Sequence, residues 1–203
     1  MKALIRSSSQ DFKSVSVPDS IIERLQEAAN RRGLSVTAWT VESLEQALQA
    51  EELGTSLGKT IEAYRILKVQ LASGAIQIPR RSLTAIIQEL FRKDKEATLS
   101  EWEEAGHWYG EYLKTLYGDE ALKVLEAALK ISWNLDEIEI TDDGMRAELR
   151  LTSFYLSKEA TELLMSYITG IFAAFDYEKR ERKLLRGLAN MRFEKVYHRQ
   201  LGK

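Results

Sequence analysis

Polar and apolar positions alternate at period two over Lys13-Ser14-Val15-Ser16-Val17, and the alternation stops at Pro18. Val15 and Val17 then share one face of a strand, with Ser14 and Ser16 on the other. The period changes at once. Ile21, Ile22, Leu25, Ala28 and Ala29 form the apolar stripe of a helix that Asp19 or Ser20 can cap, with Glu23 three residues past Ser20 as a capping box requires. Gly33 ends that helix behind Arg31-Arg32, cations that suit its last turn. Ser35 is the natural N-cap of a second helix carrying Val36, Trp39 or Thr40, Leu44 and Leu48. Leu53, Leu57, Ile61, Tyr64, Leu67 and Leu71 continue a similar spacing, interrupted near Gly54 and Gly58. They predict an amphipathic helix over 55–72, either a linker or a pairing element.

The second half repeats this punctuation. Ser73-Gly74 breaks the helix, Ile76 and Ile78 suggest a short strand, and Pro79 ends it. Ser82 opens a helix with Leu83, Ile86, Ile87, Leu90 and Phe91, and Ser100-x-x-Glu103 is a capping box for a further helix to about Leu116. Gly118-Asp119 turns into a helix over 120–130. The period then returns to two: Leu135, Ile138 and Ile140, a Thr-Asp-Asp-Gly turn, then Ala147, Leu149 and Leu151 predict a β-hairpin. Ser157 caps a strongly apolar helix to about Phe175. The charged run EKRERKLLRGLANMR reads as a solvated helix with pairs such as Glu178–Arg182, or as extra phosphate contacts, and NMRFEKVYH reads as a last strand.

A lone N-terminal strand leaves its edge groups unpaired, so Val15 and Val17 need a partner. Strand, proline, helix, glycine, serine cap and second helix have a solution in which two chains lay their strands side by side. On SVSVPDSIIERLQEAANRRGLSVTAWTVESLEQAL the sequence resembles the ribbon-helix-helix family of Arc- and Met-repressor-like proteins. The resemblance implies a β-ribbon in the DNA major groove. Phe12, Lys13, Ser14 and Ser16 would then face the DNA, and Ser35, Val36 and Thr37 would offer helix N-terminal N–H groups to a phosphate. Val15, Val17, Ile22, Leu25 and Leu44 would form the dimer core. Serine discriminates bases poorly compared with a bidentate Arg, Asn or Gln.

Charge narrows the partner without deciding it. The 203-residue chain carries a net charge of −2, with residues 1–52 also at −2. Residues 176–203 hold nine Lys/Arg against four Asp/Glu and are the one basic segment. Phosphate neutralisation supplies much of DNA affinity, so a ribbon that only dimerises is the rival reading. Apolar and charged contents of 44% and 30% are those of an ordinary globular protein. Cysteine is absent, which removes disulfides and thiolate chemistry and fits a reducing cytoplasmic setting. No long apolar run suggests a membrane span or a secretory leader.

Residues 75–203 hold GAIQIPRRSL, EAGHWYGEYL, IEITDDGMRAELRLTSF and SYITGIFAAF, and on these they resemble the 4-vinyl-reductase-type domain related to TRAPP subunits. That resemblance implies a small-molecule-sensing domain, although the cysteine-rich motifs of many members are absent here. Trp102, His107, Trp108, Tyr112 and Trp133 are the ligand-binding candidates, since Trp and Tyr join an apolar body to one polar handle. Ordinary core packing is the plainer reading of each. Gly106 and Gly110, four apart on one helix face, mark close approach by another helix or by a ligand. Asp136, Glu137, Glu139, Asp142 and Asp143 fall at alternating or turn positions and do not suggest a metal site. No phosphate loop, metal pair or nucleophile motif is present, so neither an enzyme nor a cofactor is expected.

The expected fold class is α+β: an intermolecular ribbon-helix-helix module followed by an α+β domain whose small antiparallel sheet is covered by helices. The expected organisation is a flexible segment 1–10, a dimerisation and DNA-binding domain 11–52, a helical linker 53–74 and an effector domain 75–203. The expected function is a homodimeric regulator that binds double-stranded DNA and senses an apolar or aromatic small molecule. The alternative is a non-enzymatic scaffold whose ribbon only dimerises and whose C-terminal domain docks a partner.

Overall fold

A computed structural model describes residues 14–196. The chain divides after Ile61 into two compact units, each described by itself. The dividing point falls inside a helix.

In the first unit, residues 14–18 carry no regular secondary structure, and Phe12 and Lys13 lie outside the described residues. Helix α1, Asp19–Arg32, starts directly behind Pro18, whose φ of −58° is already helical and whose carbonyl accepts from the Ile21 and Ile22 N–H groups. The expected capping box does not form: no side chain caps α1, because the helix begins at Asp19 and leaves Ser20 inside its first turn. Gly33 sits at φ +67°, the left-handed conformation that lets Leu34 N–H reach Ala29 O and Gly33 N–H reach Asn30 O. Helix α2, Val36–Glu52, follows, with Ser35 Oγ accepting the Ala38 N–H at 3.1 Å as expected. Helix α3, Leu57–Ala72, spans the division between units.

The second unit is α+β. The expected strand at Ile76 and Ile78 is absent, because residues 75–79 have no neighbouring strand to pair with and Pro79 leads straight into a helix. That helix, α4, runs Arg80–Tyr117 with one break, at Asp94 (φ −160°, ψ 98°). Asp94 Oδ1 accepts the Ala97 N–H at 2.9 Å, and the Thr98 hydroxyl donates to Asp94 O at 2.7 Å, so a second helical run starts there. The start expected at Ser100 is therefore six residues late. A short 3₁₀ turn, Gly118–Glu120, leads to α5, Ala121–Ser132.

Strands β1, Glu137–Asp142, and β2, Arg146–Thr152, form the expected hairpin. Helix α6, Lys158–Ala174, starts at Ser157, whose Oγ accepts the Ala160 N–H at 3.1 Å. Two strands follow: β3, Tyr177–Leu185, and β4, Leu188–Lys195. The sheet is wholly antiparallel with order β1-β2-β4-β3. The charged run after Asp176 is thus a strand and not the solvated helix expected. Its charges belong there because β3 is an edge, and edge strands carry Lys, Arg and bulges that discourage further pairing. The bulge falls between Lys179 and Glu181.

One face of the sheet makes the core. Ala147, Leu149 and Leu151 of β2 and Ala189, Met191 and Phe193 of β4 alternate inward. They meet Leu163, Leu164, Ile168, Ile171 and Phe172 of α6, with α4 and α5 completing the layer. Phe172 stacks on Phe193 with ring centroids 4.1 Å apart.

Candidate functional site

In the first unit the two helices pack on each other but bury little. Ala29 is the buried residue of α1 and Ala50 that of α2. The large apolar side chains remain open: Val15 is 82% exposed and Leu44 59%, and Val17, Ile21, Ile22, Val41 and Leu48 are also exposed. Leu25 is half-buried. About 40 residues cannot usually hold a fold without outside help, and here the apolar stripe of each helix faces water.

The polar candidates sit as follows. Ser14, Ser16, Ser35 and Thr37 are exposed, and Val36 is half-buried. Two nearby cations, Arg31 and Arg32, are engaged within the unit. Arg31 pairs with Glu27 at 3.9 Å, and Arg32 pairs with Glu42 at 3.6 Å while its guanidinium lies 4.3 Å from the Trp39 ring centroid. The Arg32–Trp39–Glu42 grouping was not singled out from the sequence, although Trp39 and Glu42 are three apart and share a helix face.

In the second unit the five aromatic candidates fall on different faces. Trp102 meets Trp133 edge-on at 5.8 Å and Tyr167 edge-on at 6.0 Å. Tyr167 in turn stacks with Tyr109 at 6.0 Å. Trp108 and Tyr112 stack 5.8 Å apart elsewhere on α4, with Trp108 exposed, and His107 is exposed beside it. Trp102, Trp133, Tyr109 and Tyr167 therefore form one cluster, and the stacked pair another. Tyr167 is the member that sequence reasoning missed, because it comes from α6, whereas Tyr109 lies a seven-residue step from Trp102 on α4. Burial pushes the Tyr109 hydroxyl up to about 12, helped by Tyr117 and Tyr112. Burial, then Tyr109, also raises Tyr167. Both therefore stay protonated and neutral near pH 7.

The Gly-x-x-x-Gly face is a helix crossing. A Cβ on Gly106 would overlap the Tyr167 carbonyl, and one on Gly110 would come within 2.7 Å of the Ile171 carbonyl oxygen. Gly170 answers from α6, where a Cβ would overlap the Glu103 carbonyl and approach the His107 nitrogen to 2.7 Å. Lys95 and the largely buried Glu162 form an ion pair across the same two helices.

The outer face of the sheet is charged. Glu148 accepts from Asn190 at 3.0 Å and from Arg150 at 3.1 Å, with Arg192 at 3.8 Å. Arg192 also reaches Glu181 at 2.9 Å. At the hairpin turn, Asp143 Oδ1 accepts the Met145 and Arg146 N–H groups at 2.8 and 2.6 Å. Asp142 accepts the Gly144 N–H and the Tyr177 hydroxyl, and Asp136 accepts the Phe154 N–H at 2.8 Å. Glu137 and Glu139 are exposed. No group of three or more acidic or histidine side chains is set to hold a metal among the described residues. Two depressions, about 410 and 880 Å³, border this face and are lined mainly by charged side chains such as Glu139, Arg150, Arg146 and Glu181.

These carboxylates set an acid limit. Asn190 and then Arg150 lower Glu148, Lys183 lowers Glu181, and the Arg146 and Met145 N–H groups lower Asp143. A carboxylate lowered in the folded state adds stability that is present above its unfolded value and is lost as pH falls through the folded one. Thermal melts should therefore hold down to about pH 4.5, near the ordinary Glu value, and then decline by a modest amount, since these groups are screened by solvent. Glu148→Gln should flatten that acid slope while lowering the neutral-pH melting temperature. An unchanged slope would remove this hub from the account.

No family model matches the chain, and no curated protein matches it. Among the described residues, no helix is long and apolar enough to cross a membrane.

Proposed function

We propose that the chain is a homodimeric DNA-binding regulator in which residues 14–52 of two copies pair and the second unit acts as an effector domain. One observation carries this reading: a helix-turn-helix pair with a left-handed Gly33 and a Ser35 cap leaves Val15, Val17, Ile22 and Leu44 open to water. The ribbon-helix-helix resemblance supplies both the partner for that surface and the DNA. In such a dimer Val15 and Val17 turn into the shared core, and Ser14 and Ser16 face the groove. The exposed start of α2 supplies N–H groups for a phosphate. The 4-vinyl-reductase-type resemblance of residues 75–203 supports an effector role, with the Trp102–Trp133–Tyr167 cluster as the apolar surface a ligand would reach.

A second reading rests on its own observation. Arg31 and Arg32, cations near the turn, are paired with Glu27 and Glu42. A module with these two arginines so engaged suits a ribbon that only dimerises, with the second unit docking a protein partner.

Anisotropy titration of the full chain against DNA upstream of its own gene separates the two. Neutralising about four phosphates per dimer gives a log–log slope near −4 between affinity and salt. That slope supports the regulator reading. A dimer of verified mass that fails to bind at low salt overturns it and leaves the scaffold. Ser14→Glu with Ser16→Glu should abolish binding while leaving the dimer intact.

A further inference from the structure

Helix α3 has two apolar faces on opposite sides. At about 100° per residue, Ile66, Val69 and Gln70 share one side. Ile66 and Val69 are buried, and the Gln70 amide donates to Ala128 O at 3.4 Å and to the Ser132 hydroxyl. Leu57, Ile61, Tyr64, Lys68 and Leu71 follow one another at steps of four, three, four and three, and share the other side. That side is open: Tyr64 is 61% exposed and Leu71 64%, and Leu57, Ile61 and Lys68 are exposed. A helix apolar on both sides is one that is covered on both.

From this spacing we infer that the outer side of α3 is a two-heptad seam that pairs in parallel with α3 of a second copy. The inference rests on the dimer reading of residues 14–52. Steps of four and three are the coiled-coil repeat, which is self-complementary between identical parallel helices in register. Lysine at one seam position is a device that fixes register and strand number at some cost in stability, and Lys68 stands alone in that role here. Two heptads are too short to associate alone in water. Four residues separate α2 from α3, so a dimer held by residues 14–52 delivers both seams at high effective concentration. The seam gives the proposed dimer a second point of attachment along the helix in which the second unit begins. A change in how the two effector domains sit would then reach the ribbon through a paired helix.

The absence of cysteine makes the test clean. Tyr64→Cys and, one heptad on, Leu71→Cys are placed separately in the full chain, with the exposed off-seam Ala63→Cys as control. Mild oxidation and a non-reducing gel read disulfide formation, and light scattering reads the mass. The seam predicts that both seam cysteines cross-link at least tenfold faster than Ala63→Cys in a protein of dimer mass. Dimer mass with all three equally slow overturns the seam and leaves the dimer of residues 14–52 standing. Monomer mass with no cross-linking overturns both.

Discussion

Gly170→Ala is expected to unfold the second unit or lower its melting temperature by more than about 10 °C. One methyl group causes this because its place is taken by backbone. The new Cβ would overlap the Glu103 carbonyl oxygen and lie 2.8 Å from its carbon. A flexible side chain could swing away, but a carbonyl inside α4 cannot move without the helix. Overpacking a well-filled core costs about 1–3 kcal/mol, and a clash with main chain belongs at or beyond the top of that range. Each kcal/mol is worth about 4 °C in a domain of this size. Gly106→Ala should behave alike, since its Cβ would meet the Tyr167 carbonyl. Gly58→Ala is the contrast. Its nearest neighbour is the Ser56 hydroxyl at 4.0 Å, so alanine there should be neutral or stabilise α3 by up to about 1 kcal/mol. Circular dichroism melts of the three variants check the set. Equal behaviour of Gly58→Ala and Gly170→Ala would mean the crossing is not as close as described.

The second large effect is expected at Val17. Its exposure in the single chain makes Val17→Asp harmless to a monomer, because a charge on an open surface is solvated. In a paired ribbon the same change buries two like charges, one from each copy, in an apolar core. An unpaired buried charge costs about 3–5 kcal/mol, which is about two to three and a half orders of magnitude in the dimer constant for each copy. The variant should sediment as a monomer at concentrations where the parent is a dimer, and should lose helicity from α1 and α2. A Val17→Asp protein as dimeric as the parent would move the interface elsewhere.

Much of the fold was legible because local chemistry agreed with the final structure. Ser35 and Ser157 cap the helices that their spacing predicts, Gly33 closes α1, and the Asp-Asp-Gly turn closes the hairpin of β1 and β2. The misreadings share a cause, which is that polar residues serve several structures. Glu178 to Lys183 could be a solvated helix or a charged sheet edge, and only the neighbouring strand, Leu188–Lys195, decides it. Asp94 sits among Lys93, Lys95 and Glu96, and only the bond from the Ala97 N–H to its carboxylate distinguishes it as a helix start. Ile76 and Ile78 carry strand-like alternation without a strand to pair with. The candidate sites divide in the same way. The spacing of Gly106 and Gly110 announces a close approach, but its nature depends on Gly170 of α6, which the spacing along α4 does not reveal. The aromatic candidates were drawn from a stretch of sequence, whereas the cluster was assembled by Tyr167 from another helix.

A homodimeric regulator requires residues 14–52 to be half of a fold. Sedimentation equilibrium of the full chain at micromolar concentration tests this most directly. The account predicts a single species of twice the 23.2 kDa chain mass, converted to the chain mass by Val17→Asp. A parent protein that sediments at 23.2 kDa, with α1 and α2 folded and their apolar faces still open, would contradict it.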